Sequence, residues 1–311
     1  MGGAGAVFWK ELTDYLGSKR FLIIFLIIVA VSLFSSYGAT ESLSPETTYP
    51  EYLFVMLLSS SGGGLPSFLF FISFFGPLIG IVLGFDAINS ERSRGTLSLL
   101  LSQPIYRDAV INGKFLAGLA TVAIMIASII VMITGVSIGK LGVVPNGQEV
   151  ARVVLFFLAC VLYVAFWLSL AILFSLVFAR SSTSALVSIA VWIFLSFFIY
   201  MVAGVIADEM VPLTQQSAIE EIAKHESIRS MIMRLSPSVL LEEISSAILN
   251  PSIRLFGIAM ESQLKGLIVS PLSIGQSVMV VWPQFVALVA LSIICFAVSY
   301  VAFMRQEIRS I

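Results

Sequence analysis

Hydrophobic positions in this chain fill long unbroken runs instead of alternating with polar ones or recurring on one face. Six stretches, Phe21–Gly38, Ser67–Phe85, Phe115–Ile138, Val153–Phe178, Ala185–Ile206 and Phe285–Phe303, contain no Asp, Glu, Lys, Arg or His. An uncharged apolar run of about 18 or more residues matches the hydrocarbon thickness of a bilayer. Continuous runs fit helices, whereas a barrel needs alternation. The pattern therefore predicts an all-α membrane protein with six transmembrane helices.

The segments between the runs are patterned differently. In Val7–Arg20, Phe8, Leu12, Tyr15 and Leu16 share one helical face and Lys10, Glu11, Asp14 and Lys19 the other. This predicts an amphipathic helix in the membrane interface, an elbow occupying residues 1–20, with Gly17 and Ser18 as the break before the first span. Residues 21–206 would carry the first five spans, interrupted by a loop over 86–114. In that loop Gly95 stops one helix, Thr96 caps a short second one with Leu97, Leu100 and Leu101 on one side, and Pro104 ends it. Residues 207–281 are too long for a linker. They predict a small helical segment outside the membrane, with Ser236-Pro237 as a helix start and further helices through Leu240, Leu241, Ile244 and Ile248 and through Ile253, Phe256, Met260 and Leu264. Its many acids read as a solvated surface. Residues 282–311 hold the last span and a tail, with Trp282 as interfacial anchor and Pro283 as helix start.

Composition agrees with lipid as the solvent. Hydrophobic residues make up 59% and charged residues 11%, against about a quarter charged in soluble domains. The net charge of −1 leaves no basic field for nucleic acid. The first apolar run exceeds a signal-peptide core and reads as a retained anchor. Basic residues set the orientation. Lys10, Lys19, Arg20, Arg92, Arg94, Arg107, Lys114, Arg180, Arg305 and Arg309 fall on one side, and in the opposite short loops only Lys140 and Arg152. Both termini are expected in the cytoplasm, with the chain multi-pass in the cell membrane.

Chemical machinery is sparse. Neither H-E-x-x-H nor G-x-S-x-G occurs, so no catalytic residue is assigned and an enzyme is not expected. His225 reads as a solvated histidine, and Met231 and Met233 beside it are too few soft ligands for a metal site. No P-loop occurs, since Gly113-Lys114 is followed by Phe115. Spans without ionisable groups argue against ion coupling. Gly76, Gly80 and Gly84 form a smooth ridge on the second span, suited to helix packing or a dimer seam.

The loop pattern Glu91-x-x-x-Gly95-Thr96-Leu97-x-x-Leu100-Leu101-x-x-Pro104-x-x-Arg107, followed by Gly113-Lys114, resembles the signature of ABC type-2 exporter permeases. Among these, the chain is similar to stand-alone permeases of the nitrous-oxide-reductase maturation type. The resemblance implies an elbow helix before the first span and a coupling helix in the loop, with Glu91, Arg94, Gly95, Thr96, Leu97, Leu100, Leu101, Pro104 and Arg107 at the contact with a separate ABC ATPase. ATP and Mg would then bind on that partner and no cofactor on this chain. It further implies a dimer with a second permease copy or paralogue. Ser98 departs from the acid that many members carry there. Charge-free spans suit lipid-like, amphipathic or bulky apolar cargo. The alternative is a non-transporting membrane scaffold or sensor whose outer segment binds a partner protein.

Overall fold

Backbone placed in lipid has to satisfy its own N–H and C=O groups, and all regular structure among the described residues is helical. The computed structural model describes residues 3–42, 53–59, 66–93, 95, 106–142, 144–213, 218–250 and 272–305. The chain opens with α1 (Gly3–Leu16), turns at Gly17-Ser18 and enters α2 (Lys19–Ser42). A short α3 (Leu53–Ser59), which the apolar pattern did not predict, precedes α4 (Phe68–Gly84) and α5 (Asn89–Ser93). Long helices α6 (Arg107–Leu141) and α7 (Gly147–Val177) follow. The fifth span is α8 (Ser181–Ile193), a π-helical turn over Phe194–Phe198, and α9 (Ile199–Met210). Then come α10 (Ile219–Met233), α11 (Pro237–Leu249) and α12 (Ile274–Arg305).

Six of these helical stretches are long and apolar enough to cross a membrane, and each covers one of the apolar runs to within one residue. Side-chain caps mark the starts of two of them. Ser67 accepts a hydrogen bond from Phe70 N at the start of α4. Asn146 and Glu149 form a reciprocal capping box at the start of α7.

The bundle is organised around α7, where Phe156, Tyr163, Trp167 and Ile172 are fully buried. α4 packs on one side of it and α12 on another. The glycine ridge of α4 makes the first contact possible. A Cβ at Gly80 would lie 2.8 Å from both Leu168 N and Trp167 Cβ, and one at Gly84 2.7 Å from Ala171 Cβ. The ridge faces α7 of the same chain, so it is covered there and is not open to form a dimer seam.

Between residues 207 and 281 the acids Asp208, Glu209, Glu220, Glu221 and Glu242 are exposed as expected, but the helices do not form a separate outer cap. α9 carries the fifth span out to Met210, and α12 begins at Ile274, so Pro283 lies inside a helix instead of starting one. The early turns of α12 are held by other parts of the chain: Ser277 Oγ accepts from Arg152, and Gln284 donates to Glu243 at 2.7 Å. α11 does start with Pro237, but the Ser236 side chain makes no cap hydrogen bond. Instead of covering the outside, α11 buries Leu241, Ile244 and Ile248 against α7 and α12. Its apolar stripe needs a partner, and the open end of the bundle supplies it. His225 on α10 is buried, not solvated, with Nε2 2.9 Å from Asp208 Oδ1. Met231 is exposed, and no cluster of three potential metal-binding His, Cys, Asp or Glu side chains occurs among the described residues. The helix expected through Ile253 and Leu264 lies outside the described residues.

Candidate functional site at the base of the loop after the second span

The end of the bundle carrying α1 holds a buried ionic cluster that joins three segments distant in sequence. Lys114, two turns into α6, places Nζ 2.9 Å from Glu11 Oε1 of α1 and 2.9 Å from Glu91 Oε1 of α5. The side chains of Lys114, Glu11 and Glu91 are only 4%, 7% and 12% exposed. Lys10 adds a second cation at the rim, 3.0 Å from Glu11 and 4.0 Å from Glu91.

Local packing explains how Lys114 gets there. A Cβ at Gly113 would meet Val7 Cγ1 at 2.7 Å, so only glycine lets α1 lie this close to α6. Val7, Glu11 and Leu12 form the buried face of α1. Glu11 is therefore not on a solvated face as its sequence position suggested. Its neighbour Tyr15 is largely enclosed too, and its hydroxyl has no hydrogen-bond partner among the described residues.

Desolvation pushes the Glu11 carboxyl up, but the attraction and hydrogen bond of Lys114, joined by those of Lys10, outweigh it and hold the group below its ordinary range. For Lys10, desolvation lowers the ammonium, and the hydrogen bond and charge of Glu11, with the charges of Glu91 and Asp14, raise it overall.

α5 is tied into the bundle by more than charge. Ser175 Oγ, near the end of α7, accepts from Ile88 N at 3.0 Å and Asn89 N at 3.1 Å. Arg20 at the start of α2 reaches Asp86 at 3.1 Å on the exposed surface. After α5 the chain turns at Gly95, whose φ of +70° lies in the left-handed region that glycine adopts without a steric penalty.

The loop residues singled out in the sequence divide into two groups. Glu91 belongs to the internal cluster, Gly95 makes the turn and Arg107 opens α6. Arg94, Thr96, Leu97, Leu100, Leu101 and Pro104 lie outside the described residues. The sequence reasoning missed the roles of Glu11 and Lys114. Their partnership spans 103 residues and leaves no local periodic signal. A signal was present at the other end of the bundle, where Asn146 followed by Glu149 spells a capping box. There Glu149 also accepts from Phe54 N at 3.0 Å and so anchors α3. Arg152, counted as a loop charge, is fully buried and donates to Ile248 O at 2.9 Å, Ser277 Oγ at 3.2 Å and Leu272 O at 2.5 Å.

Six apolar helices with α7 buried among them, and a loop emerging from an ion-locked base, define a multi-pass α-helical membrane protein. The profile of the ABC-2 family transporter proteins matches residues 5–308, so the chain belongs to that family. It is 30% identical over 142 residues to the "Probable ABC transporter permease protein NosY" of Stutzerimonas stutzeri, covering 42% of this chain and 47% of that one. It is 34% identical over 108 residues to the protein of the same name from Pseudomonas aeruginosa, covering 34% and 35%. The matched stretch thus spans less than half the length of these curated relatives.

Proposed function

We propose that this chain is the membrane permease subunit of an ATP-driven exporter, and that a separate ABC ATPase docks on the loop between α5 and α6. The observation that carries this reading is the Lys114 cluster. It binds α1, α5 and α6 together where the loop leaves and re-enters the bundle. A force applied to residues 94–106 therefore reaches α4 and α6 directly, and α7 through Ser175. A loop on a loose base would dissipate that force.

ATP and Mg are bound by the partner in this scheme. Nucleotide-driven closure of two ATPases needs two such loops, which calls for a second permease copy or a paralogue. The ATPase shifts the spans between packings only by docking differently in each. The distribution of basic residues supports cytoplasmic termini in the cell membrane. Removing the buried Arg152 from the count leaves Lys140 as the basic residue of the opposite short loops.

The burial of Glu91 changes which substitutions test docking. Glu91→Arg would break the internal cluster and report on folding. Leu97→Asp and Leu101→Asp act on the loop itself. The tagged full-length chain, purified from its native cells, should retain a soluble P-loop ATPase identifiable by mass spectrometry. Either substitution should abolish retention without moving the thermal midpoint of the permease. Retention unchanged in both variants would overturn the docking assignment, and failure of the native chain to retain any ATPase would overturn the exporter reading.

A further inference from the structure

The six apolar runs carry no Asp, Glu, Lys, Arg or His, yet the fold brings the carboxylate of Glu242 against the fifth span's run. Glu242 sits on α11, beside a recess of about 100 Å³ between α4, α11 and the π-helical stretch of the fifth span. That volume has room for several water-sized groups and so for one small ligand head.

Three rings form a corner of the recess. Phe74 and Trp192 have centroids 5.3 Å apart at 77°, Trp192 and Phe197 6.1 Å at 71°, and Phe74 and Phe197 6.4 Å at 72°. All three nearly perpendicular rings line the recess. The π turn over Phe194–Phe198 lies at the recess, which Trp192, Ser196, Phe197 and Tyr200 of the fifth span all line. Such turns inside α-helices recur at functional sites.

The hydroxyl chain and the carboxylate at the recess point the same way, although Trp192 Nε1 is a buried donor without an acceptor among the described residues. Tyr163 OH donates to Ser73 O at 2.7 Å, so at its 3.1 Å contact with Ser238 Oγ it accepts. With that proton of Ser238 committed, Ser196 donates across the 3.3 Å contact to Ser238. The hydroxyl protons thus run away from Ser196, which is left with acceptor lone pairs at the recess. Glu242 has no hydrogen bond or ion pair among the described residues, whereas its neighbour Glu243 holds both Arg234 and Gln284. The carboxyl of Glu242 is accessible at the mouth, but enough protein surrounds it for desolvation to raise it above its ordinary range.

We propose that this recess binds a methylated ammonium group, with Glu242 as counter-ion and Trp192, Phe74 and Phe197 as the aromatic wall. An unpaired carboxylate selects a cation, and π faces in place of a ring of hydrogen-bond acceptors select one whose surface is methyl groups. That such an ammonium is cargo rests on the exporter reading above; that it binds here does not.

The test uses the full-length chain in phosphatidylglycerol nanodiscs, without ATPase, dialysed to equilibrium against radiolabelled tetramethylammonium. Saturable binding is expected, with no competition from its neutral isostere 3,3-dimethylbutanol or from sodium at equal ionic strength. Glu242→Gln should weaken it at least tenfold. Phe197→Leu, at a half-exposed ring that folding tolerates, should weaken it roughly 3- to 10-fold at an unchanged thermal midpoint. In phosphatidylcholine nanodiscs, a suppressed titration assigns the site to a lipid headgroup and an unchanged one to a free solute. Absence of saturable binding, equal competition by the neutral isostere, or binding within twofold of native in both variants would overturn the proposal. Such a failure leaves ATPase retention untouched, so the two readings fail separately.

Discussion

Replacing Lys114 by Met keeps most of the side chain's length and removes its charge. The native ammonium lies 2.9 Å from each of two carboxylates, in a site where none of the three side chains is more than 12% exposed. At an effective dielectric constant near 20, each contact supplies roughly 5–6 kcal/mol of attraction. Desolvation of all three ions and the mutual repulsion of Glu11 and Glu91 offset most of that. Losing the cluster's buried cation is therefore expected to cost about 3–5 kcal/mol, because two largely desolvated carboxylates are left with only the half-exposed Lys10 at the rim to neutralise them. The loss should be local, since Val7 still packs on Gly113 and α7 is unchanged. Amide exchange followed by mass spectrometry should show protection of Gly3–Leu16 falling by about two to three and a half orders of magnitude at roughly 1.4 kcal/mol per tenfold. Protection in α12 should stay as it was. The triple variant Lys114→Met, Glu11→Gln, Glu91→Gln replaces the ions by neutral groups of similar size, and should recover most of the protection. A loss below about 1 kcal/mol in Lys114→Met, or a triple variant as unprotected as the single one, would refute the claim that the cluster locks α1 to the base of the loop.

Two further outcomes test the same physics elsewhere. Arg152→Met strips the hydrogen-bond donors from Ile248 O and Leu272 O, at about 1–3 kcal/mol for each carbonyl left unsatisfied. Exchange in Pro237–Leu249 should accelerate by at least tenfold, and unchanged exchange there would show that Arg152 does not hold α11. Acid should release α1. The Glu11 carboxyl is held below its ordinary value of 4.5, so its contribution is complete above that pH and is lost as pH falls through the lower folded value. A spin-label distance between α1 and α6 should lengthen as the pH drops below about 4.5, and Glu11→Gln should remove that acid-dependent step; a profile identical in the variant would assign the titration to another group.

Hydropathy located all six spans and the break at Gly17-Ser18, and the loop pattern placed the chain's resemblance, because these properties are local sums along the sequence. Lipid enforces them without help from tertiary contacts: an uncharged run of that length has one stable solution. The charged residues behaved otherwise. Glu11, Glu91, Lys114 and Arg152 all looked like loop or surface charges, and all are enclosed in the fold. Their partners come from segments up to 125 residues away, and no periodicity within one helix encodes such a meeting. The same holds for α11. Its amphipathic stripe was visible in the sequence, but whether that stripe met solvent, lipid or the open end of the bundle depended on the space left between α4, α7 and α12. Sequence by itself determined how many helices cross and where. Tertiary structure alone decided which buried charges neutralise one another and which carboxylate, Glu242, was left unneutralised beside an aromatic recess. The physical reason is that burial of apolar groups needs only an apolar environment, whereas burial of a charge needs a particular partner at a particular distance.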